Sequence, residues 1–339
     1  MHPSDHARKL YAKAIVVDNA IGIDPEITVP QDVKWTAIER FLKAGVTYAF
    51  LSVATDLTSL ERAMQYIALC IERMHRESNK YIFVQNTEDI LRAKKEKKLA
   101  LSFIFQGTNP LAKDENMLAI YYRLGVRSMV LSYNIRNALG DGCIEPKDAG
   151  LSALGIRMID KMNQVGILVD CSHVGQKTSL EAMARSKLPV IFSHSCAQGV
   201  HSHPRNLTDE QIRACAKTGG LIGVNGLGIW LGEEKANAGK LAEHIDYIAQ
   251  LVGHQHVGLG TDVIYFFDVL DDFMEASSIF YGQNYTKPTG VHPSWTSLQP
   301  EQIIEVIDPL LKRGYGDTAI QDILGKNYLR VFSHTLKDL

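Results

Sequence analysis

Short apolar, β-branched runs alternate along this chain with longer segments whose apolar positions recur at helical spacing, the pattern of repeated strand–helix units. Eight runs stand out, at 14–18, 47–53, 100–106, 128–133, 166–173, 189–194, 221–225 and 256–262. Helices are predicted between them at 60–76, 115–124, 155–165, 179–185, 209–218 and 241–252. Gly45, Gly125, Gly166 and Gly220 each precede a Val, Ile or Leu and read as helix C-caps feeding directly into a strand. Eight parallel strands, each followed by a helix, close into a (β/α)8 TIM barrel, whereas a doubly wound sheet more often stops at five or six. A weaker ninth run at 81–84 leaves the count open by one. Residues 264–293, rich in Phe, Tyr, Asp and Gly, are expected to form a long loop over the barrel mouth, before closing helices at 300–313 and 317–324. No Gly/Ser- or Pro-rich linker interrupts the 339 residues, so residues 1–339 are expected to form one domain.

Barrel chemistry sits at the C-terminal ends of the strands. Those positions here are Asp18, Gln106, Tyr133, His173, His194, Asn225 and Asp262. Two neutral imidazoles on consecutive strand ends can bind one first-row divalent ion, with zinc the default for nitrogen ligands; each can equally serve as a local hydrogen-bonding group. Tyr133 can meet a substrate oxygen or close a barrel layer, and Asn225 is a further candidate substrate contact. Cys171 shares the face of His173 on a period-two strand and is expected to be a small core residue. Cys196 flanks His194, and His201 and His203 are expected at the surface. Asp18 points into the mouth or anchors a loop.

Composition narrows the function. The formal net charge is −2, which removes the electrostatic argument for nucleic acid or an anionic membrane. Lys94-Lys95-Glu96-Lys97-Lys98 is the one dense basic run and reads as a solvated helix end. The first eleven residues are polar and no apolar run approaches the ~20 residues of a membrane span, so a cytoplasmic protein is expected. Five scattered cysteines without C-x-x-C spacing read as reduced thiols.

Three stretches carry a resemblance. They are Gly150-Leu151-Ser152-Ala153-Leu154-Gly155; the run from Met162 through Asp170-Cys171-Ser172-His173-Val174; and Ser193-His194-Ser195 with His203-Pro204-Arg205-Asn206-Leu207-Thr208-Asp209-Glu210. Together with Gly258-Leu259-Gly260-Thr261-Asp262, they resemble the membrane dipeptidases, peptidase family M19, over roughly residues 10 to 335. The resemblance implies a barrel holding two zinc ions. It puts His173 and His194 on the two histidine ligands of one zinc, Arg205 on the arginine that grips the substrate carboxylate, and Asp262 on the aspartate that handles protons and the substrate amine. Other family positions differ. The strand-one Asp-Gly-His-x-Asp is Asp18-Asn19-Ala20-Ile21-Gly22 here, the bridging glutamate is Gln106, and the substrate-binding histidine is Tyr133.

These departures remove the carboxylates of one zinc site and leave an amide, a weaker zinc ligand than a carboxylate, at the other. The resemblance with its departures therefore implies a hydrolase acting on a small carboxylate-bearing, dipeptide- or amino-acid-like substrate. It would use at most one zinc at His173, His194 and Gln106, with Asp262 as general acid or base and Arg205, Tyr133 and Asn225 on the substrate. A silent pseudo-peptidase that binds a ligand or partner, and a lyase or isomerase on the same barrel, are the alternatives. A third reading keeps two zinc ions by recruiting Asp18, Asp24 or Glu26. A homodimer is left open.

Overall fold

The computed structural model describes residues 2–27, 29–263 and 296–333. The expected mouth loop at 264–293 lies outside the described residues. Nine strands are present among the described residues: β1 (Val17–Gly22), β2 (Tyr48–Thr55), β3 (Tyr81–Phe83), β4 (Leu99–Gln106), β5 (Val126–Val130), β6 (Leu168–Asp170), β7 (Val190–Phe192), β8 (Leu221–Val224) and β9 (Val257–Leu259). Eight run in the order β1-β2-β4-β5-β6-β7-β8-β9, all pairs parallel. Each of the eight predicted runs contains or overlaps one of them. The ninth run is real but stands off the barrel path: β3 pairs with the first half of β4, through Tyr81 with Leu99 and Phe83 with Leu101. β5 takes over beside the second half, through Phe103 with Val126. Every residue of β2 and β4 is buried, as expected for strands covered on both faces.

The barrel closes between β1 and β9. An isolated bridge joins Ile21 to Val263. Beside it the Asp18 carboxylate accepts hydrogen bonds from the Thr261 backbone N–H (3.0 Å), the Thr261 hydroxyl and the Ala20 N–H (3.2 Å). Asp18 is thus a clasp on the seam, the anchor alternative of the sequence reading. Its full burial raises its pKa to about 6. At the opposite end, Phe332 and Tyr328 from the last described helix, Asn327–Ser333, pack on Tyr48 and Phe50, with ring centroids 5.6 Å (Tyr48–Phe332) and 5.4 Å (Phe50–Tyr328) apart.

The helices follow their caps. They are α1 (Asp5–Lys13), α2 (Gln31–Lys43), α3 (Leu60–Arg76), α4 (Thr87–Glu96), α5 (Met117–Arg123), α6 (Ala153–Val165), α7 (Gln176–Arg185), α8 (Asp209–Lys217), α9 (Gly228–Leu231) and α10 (Ala238–Val252). Ser59, Ser152 and Thr208 cap α3, α6 and α8 through their side chains, satisfying N–H groups that helices leave unpaired. Gly45, Gly125 and Gly166 take left-handed φ of +81°, +94° and +98°, as C-cap glycines do. The fourth assignment moves by one: the left-handed residue is Gly219 (φ +79°) and not Gly220. The helix expected at 300–313 is a 3-10 segment, Pro300–Val306, running into Ile307–Lys312. The next, at 317–324, ends in a π segment, Asp322–Lys326. Among the described residues no helix is long and apolar enough to cross a membrane.

Candidate active site

The strand-end residues converge in part. His173 lies three residues past β6 and His194 two past β7. Their Nε2 atoms face each other at 2.8 Å. Each Nδ1 is held from behind, His173 by the Asn134 side-chain oxygen (2.7 Å) and His194 by the Ser193 hydroxyl (2.7 Å). These oxygens can accept an Nδ1 proton and so leave Nε2 as a bare lone pair, the second-shell arrangement that metal-ligating histidines use. Two bare lone pairs at this distance repel unless a proton or a cation lies against both. Burial, reinforced by the nearby Arg205 charge, pushes both pKa values well below the ordinary histidine range, so both rings are neutral at pH 7.

Tyr133 packs its ring on His173, with centroids 4.1 Å apart and planes at 32°. Together with Asn134, it fixes the imidazole from the face and from the edge. His173, Asn134 and Asp262 all adopt left-handed backbone, with φ of +66°, +64° and +51°. Non-glycine residues pay for that conformation and cluster at functional sites when the surroundings enforce it. The φ of His173, with β6 ending at Asp170, also breaks the period-two relation used to orient Cys171; Cys171 is nonetheless a buried thiol. His201 and His203 are half-buried rather than superficial, and His203 packs on Trp230 at 4.6 Å.

Arg205 comes from the loop between β7 and α8 and is only 3% exposed. Its Nη1 donates to the Ser195 hydroxyl (2.7 Å), its Nη2 to the His194 carbonyl (2.8 Å), and its Nε lies 3.2 Å from His173 Nδ1. No carboxylate pairs with it among the described residues, so this buried guanidinium lacks the anion that buried charges ordinarily find. A cavity of about 240 Å³ reaches Arg205 and His173 past Cys143, Gln198 and Thr208. Across the mouth, Asp262 accepts a hydrogen bond from Asn225 Nδ2 (3.1 Å), while Asn225 Oδ1 takes the Leu227 N–H. Burial raises the Asp262 pKa, against the Asn225 bond and the Arg205 charge.

Gln106, the last residue of β4, donates through Nε2 to Ser52 Oγ (3.0 Å), which in turn donates to Asp24. Glu26 is drawn away to the Thr58 hydroxyl. Asp18, Asp24 and Glu26 are thus each engaged elsewhere. Among the described residues no group of three or more His, Cys, Asp or Glu side chains is placed to hold a metal ion. The residues present therefore fit two nitrogen ligands of a zinc, with ordered partners behind them, and no complete set of the usual four.

One organising residue escaped the sequence reading. Asp56, just past β2 and 4% exposed, accepts hydrogen bonds from the N–H groups of Thr108 (2.7 Å), Asn109 (3.1 Å) and Tyr133 (3.0 Å) and from Asn137 Nδ2 (3.0 Å). It ties the loops after β2, β4 and β5 together, and through Tyr133 it supports His173. Gly107 (φ +147°) leaves it room, since a Cβ there would lie 2.5 Å from the carboxylate. The signal available in sequence was an aspartate directly after an apolar strand, with nothing to mark its partners more than 50 residues away.

Comparison with known proteins shows the family. The family model for membrane dipeptidase (peptidase family M19) matches residues 5–279. Dipeptidase verJ of Clonostachys rogersoniana is 29% identical over 281 residues, 82% of this chain and 66% of that protein. The chain spans between 52% and 66% of the length of the curated relatives it matches. The crystal structure of an amidohydrolase from Pseudomonas aeruginosa superposes with a TM-score of 0.86 at 28% identity, covering 98% of this chain and 99% of that one. A metallo peptidase from Rhodobacter sphaeroides, solved liganded with a phosphinate mimic of the dipeptide L-Ala-D-Ala, shares the fold at a TM-score of 0.76 and 16% identity, covering 95% and 100%. The chain is a member of the membrane dipeptidase family, peptidase family M19.

Proposed function

We propose that this chain hydrolyses an amide or related C–N bond in a small carboxylate-bearing, dipeptide- or amino-acid-like substrate, using at most one zinc. The observation that carries the reading is the joined cluster of His173, His194 and Arg205: two facing neutral imidazoles with an unpaired buried guanidinium against them. His173 and His194 would hold the zinc, with Gln106 as a candidate third ligand. When bound, the ion supplies Lewis acidity toward a carbonyl oxygen and acidifies water. Family membership and the dipeptide mimic bound by the Rhodobacter protein support the substrate class.

The chain's own residues divide the remaining work. Arg205 keeps N–H groups on Nη1 and Nη2 beyond the two that donate to the Ser195 hydroxyl and the His194 carbonyl, which suits a carboxylate. Asp262, its pKa raised by burial and its carboxylate oriented by Asn225, takes a proton from the attacking water and returns one to the leaving amine. Tyr133 and Asn134 hold His173 in place, so Tyr133 acts as a buttress as well as a candidate substrate contact. Five unpaired cysteines support a reducing, cytoplasmic setting, and residues 1–339 are taken as one catalytic domain. The test is a panel of dipeptides and N-acyl amino acids assayed with and without chelator. Chelator-sensitive turnover that disappears in Asp262→Asn is expected. Turnover unaffected by that substitution would overturn the assignment.

A further inference from the structure

One hydrogen-bond chain joins the loop after β1, strand β2 and the C-terminal end of β4. Asp24 lies two residues past β1, Ser52 is in β2 and Gln106 ends β4; they are 6%, 0% and 5% exposed. Gln106 Nε2 donates to Ser52 Oγ (3.0 Å) and Ser52 Oγ donates to Asp24 Oδ1. A hydroxyl has one proton to give. While Asp24 is ionised and can only accept, Ser52 must spend that proton on it and accept from Gln106, which leaves the Gln106 carbonyl oxygen uncommitted. Among the described residues that oxygen has no hydrogen-bond partner. If Asp24 gains a proton on Oδ1, it can donate to Ser52. The hydroxyl then turns to donate to Gln106, and the amide reverses.

We propose that Asp24 is a positioning residue that sets the polarity of Gln106: ionised, it presents a carbonyl oxygen to the barrel mouth; protonated, it presents an N–H donor. The consequence is a selectivity that changes with pH. The acceptor form favours a cation or an ammonium, and the donor form favours a carbonyl, carboxylate or phosphinate oxygen. This rests on the reading that Gln106 borders the ligand site.

The surroundings of Asp24 keep both forms accessible. Glu26 on the same loop and Asp262 past β9 raise its pKa through their charges, as does burial, the largest cause. The Ser52 bond and Lys34 on α2 oppose them. Lys34 Nζ reaches the backbone carbonyls of Ile23 (3.2 Å) and Asp24 (2.5 Å), and the Tyr66 hydroxyl on α3 donates to the Ile23 carbonyl. No cation forms an ion pair with the Asp24 carboxylate among the described residues, and the balance lies at about 7.

The direct test is NMR of the protein labelled with ¹⁵N-glutamine. The Gln106 side-chain amide signals are identified by their loss in Gln106→Met and followed from pH 5.5 to 8.5. They should shift with a midpoint near 7 in the unaltered protein and lose that midpoint in both Asp24→Asn and Ser52→Ala. Signals that do not move, or that titrate unchanged in whichever of the two variants folds, overturn the proposal. In a second arm, the phosphinate mimic of L-Ala-D-Ala is titrated calorimetrically across the same range. Its affinity should fall above pH 7 by up to tenfold per pH unit more steeply than in Ser52→Ala, and equal slopes count against the switch. Failure of the mimic to bind at any pH counts against the dipeptide reading of the site instead, and the NMR arm then decides the polarity claim alone.

Discussion

Replacing Asp56 with alanine tests how the mouth is assembled. The substitution removes the acceptor for the N–H groups of Thr108, Asn109 and Tyr133. Asn137 Nδ2 keeps the Thr108 hydroxyl (3.0 Å) and the Leu131 carbonyl (2.8 Å), so three backbone donors are stranded. Hydrogen bonds to a charged acceptor contribute about 1.5–3 kcal/mol each, which for three gives an upper range of roughly 4.5–9 kcal/mol. Burial of the carboxylate works in the other direction, since it raises the Asp56 pKa despite the bonds it accepts, and water can enter the space left by the side chain. A net loss of about 3–5 kcal/mol is expected, in the range for breaking a buried charged network. Asp56→Asn keeps one acceptor oxygen and should lose about half as much. Urea unfolding gives the stability change from the midpoint, and amide hydrogen exchange locates it. Protection should fall at Thr108, Asn109 and Tyr133 before elsewhere. An Asp56→Ala protein within about 1 kcal/mol of the original, with those three amides still protected, would refute the reasoning.

Three further outcomes follow from the same geometry. Arg205→Ala should weaken binding of the phosphinate dipeptide mimic by roughly one to two decades, and Arg205→Lys should not restore it, because one ammonium cannot span Ser195 Oγ and the His194 carbonyl; calorimetric titration of both variants checks this. Ala20→His, Gly22→Asp and Gln106→Glu together should raise zinc stoichiometry toward two, since a Cβ at Gly22 meets only the Val263 carbonyl, at 3.9 Å; unchanged zinc content in the folded triple variant would show that the β1 end is shaped against the ion. Asp18 and Asp24, raised to about 6 and 7, hold protons in the folded state that the unfolded chain releases above about 4. Their contribution is fully present below that pH and is lost as pH rises to about 7. Thermal unfolding should therefore show stability falling across this window, with a shallower fall in Asp24→Asn.

The parts legible in sequence were those whose signal is local. Eight strands could be counted because each is a short apolar run bounded by helix, and α3 was placed at Leu60–Arg76 because its period is sustained over seventeen residues. α4 was signalled only by its basic end, residues 94–98, read as a solvated helix end, while the capping box of Asn86 and Asp89 that marks its start went unread. α2 follows Pro30, with no side-chain cap to mark its start, and α1 was read only as a polar terminus. His173 and His194 could be paired because consecutive barrel strands bring their ends together. Neither the Asp56 network nor the Asp24–Ser52–Gln106 chain was legible, because each joins residues far apart in sequence that only the side-by-side packing of β1, β2, β4 and β5 brings together. The left-handed backbones of His173, Asn134 and Asp262 leave only a weak mark in residue type: His, Asn and Asp are the non-glycine residues most enriched at such φ, but most of them in any chain do not adopt it.

The central claim is that the zinc site has been reduced to the His173–His194 pair. Elemental analysis of protein purified without chelator, together with the His173→Ala, His194→Ala double variant, tests it most directly. The account predicts no more than one zinc per chain, and none in the double variant. Two tightly held zinc ions per chain, or zinc that survives loss of both histidines, would contradict it.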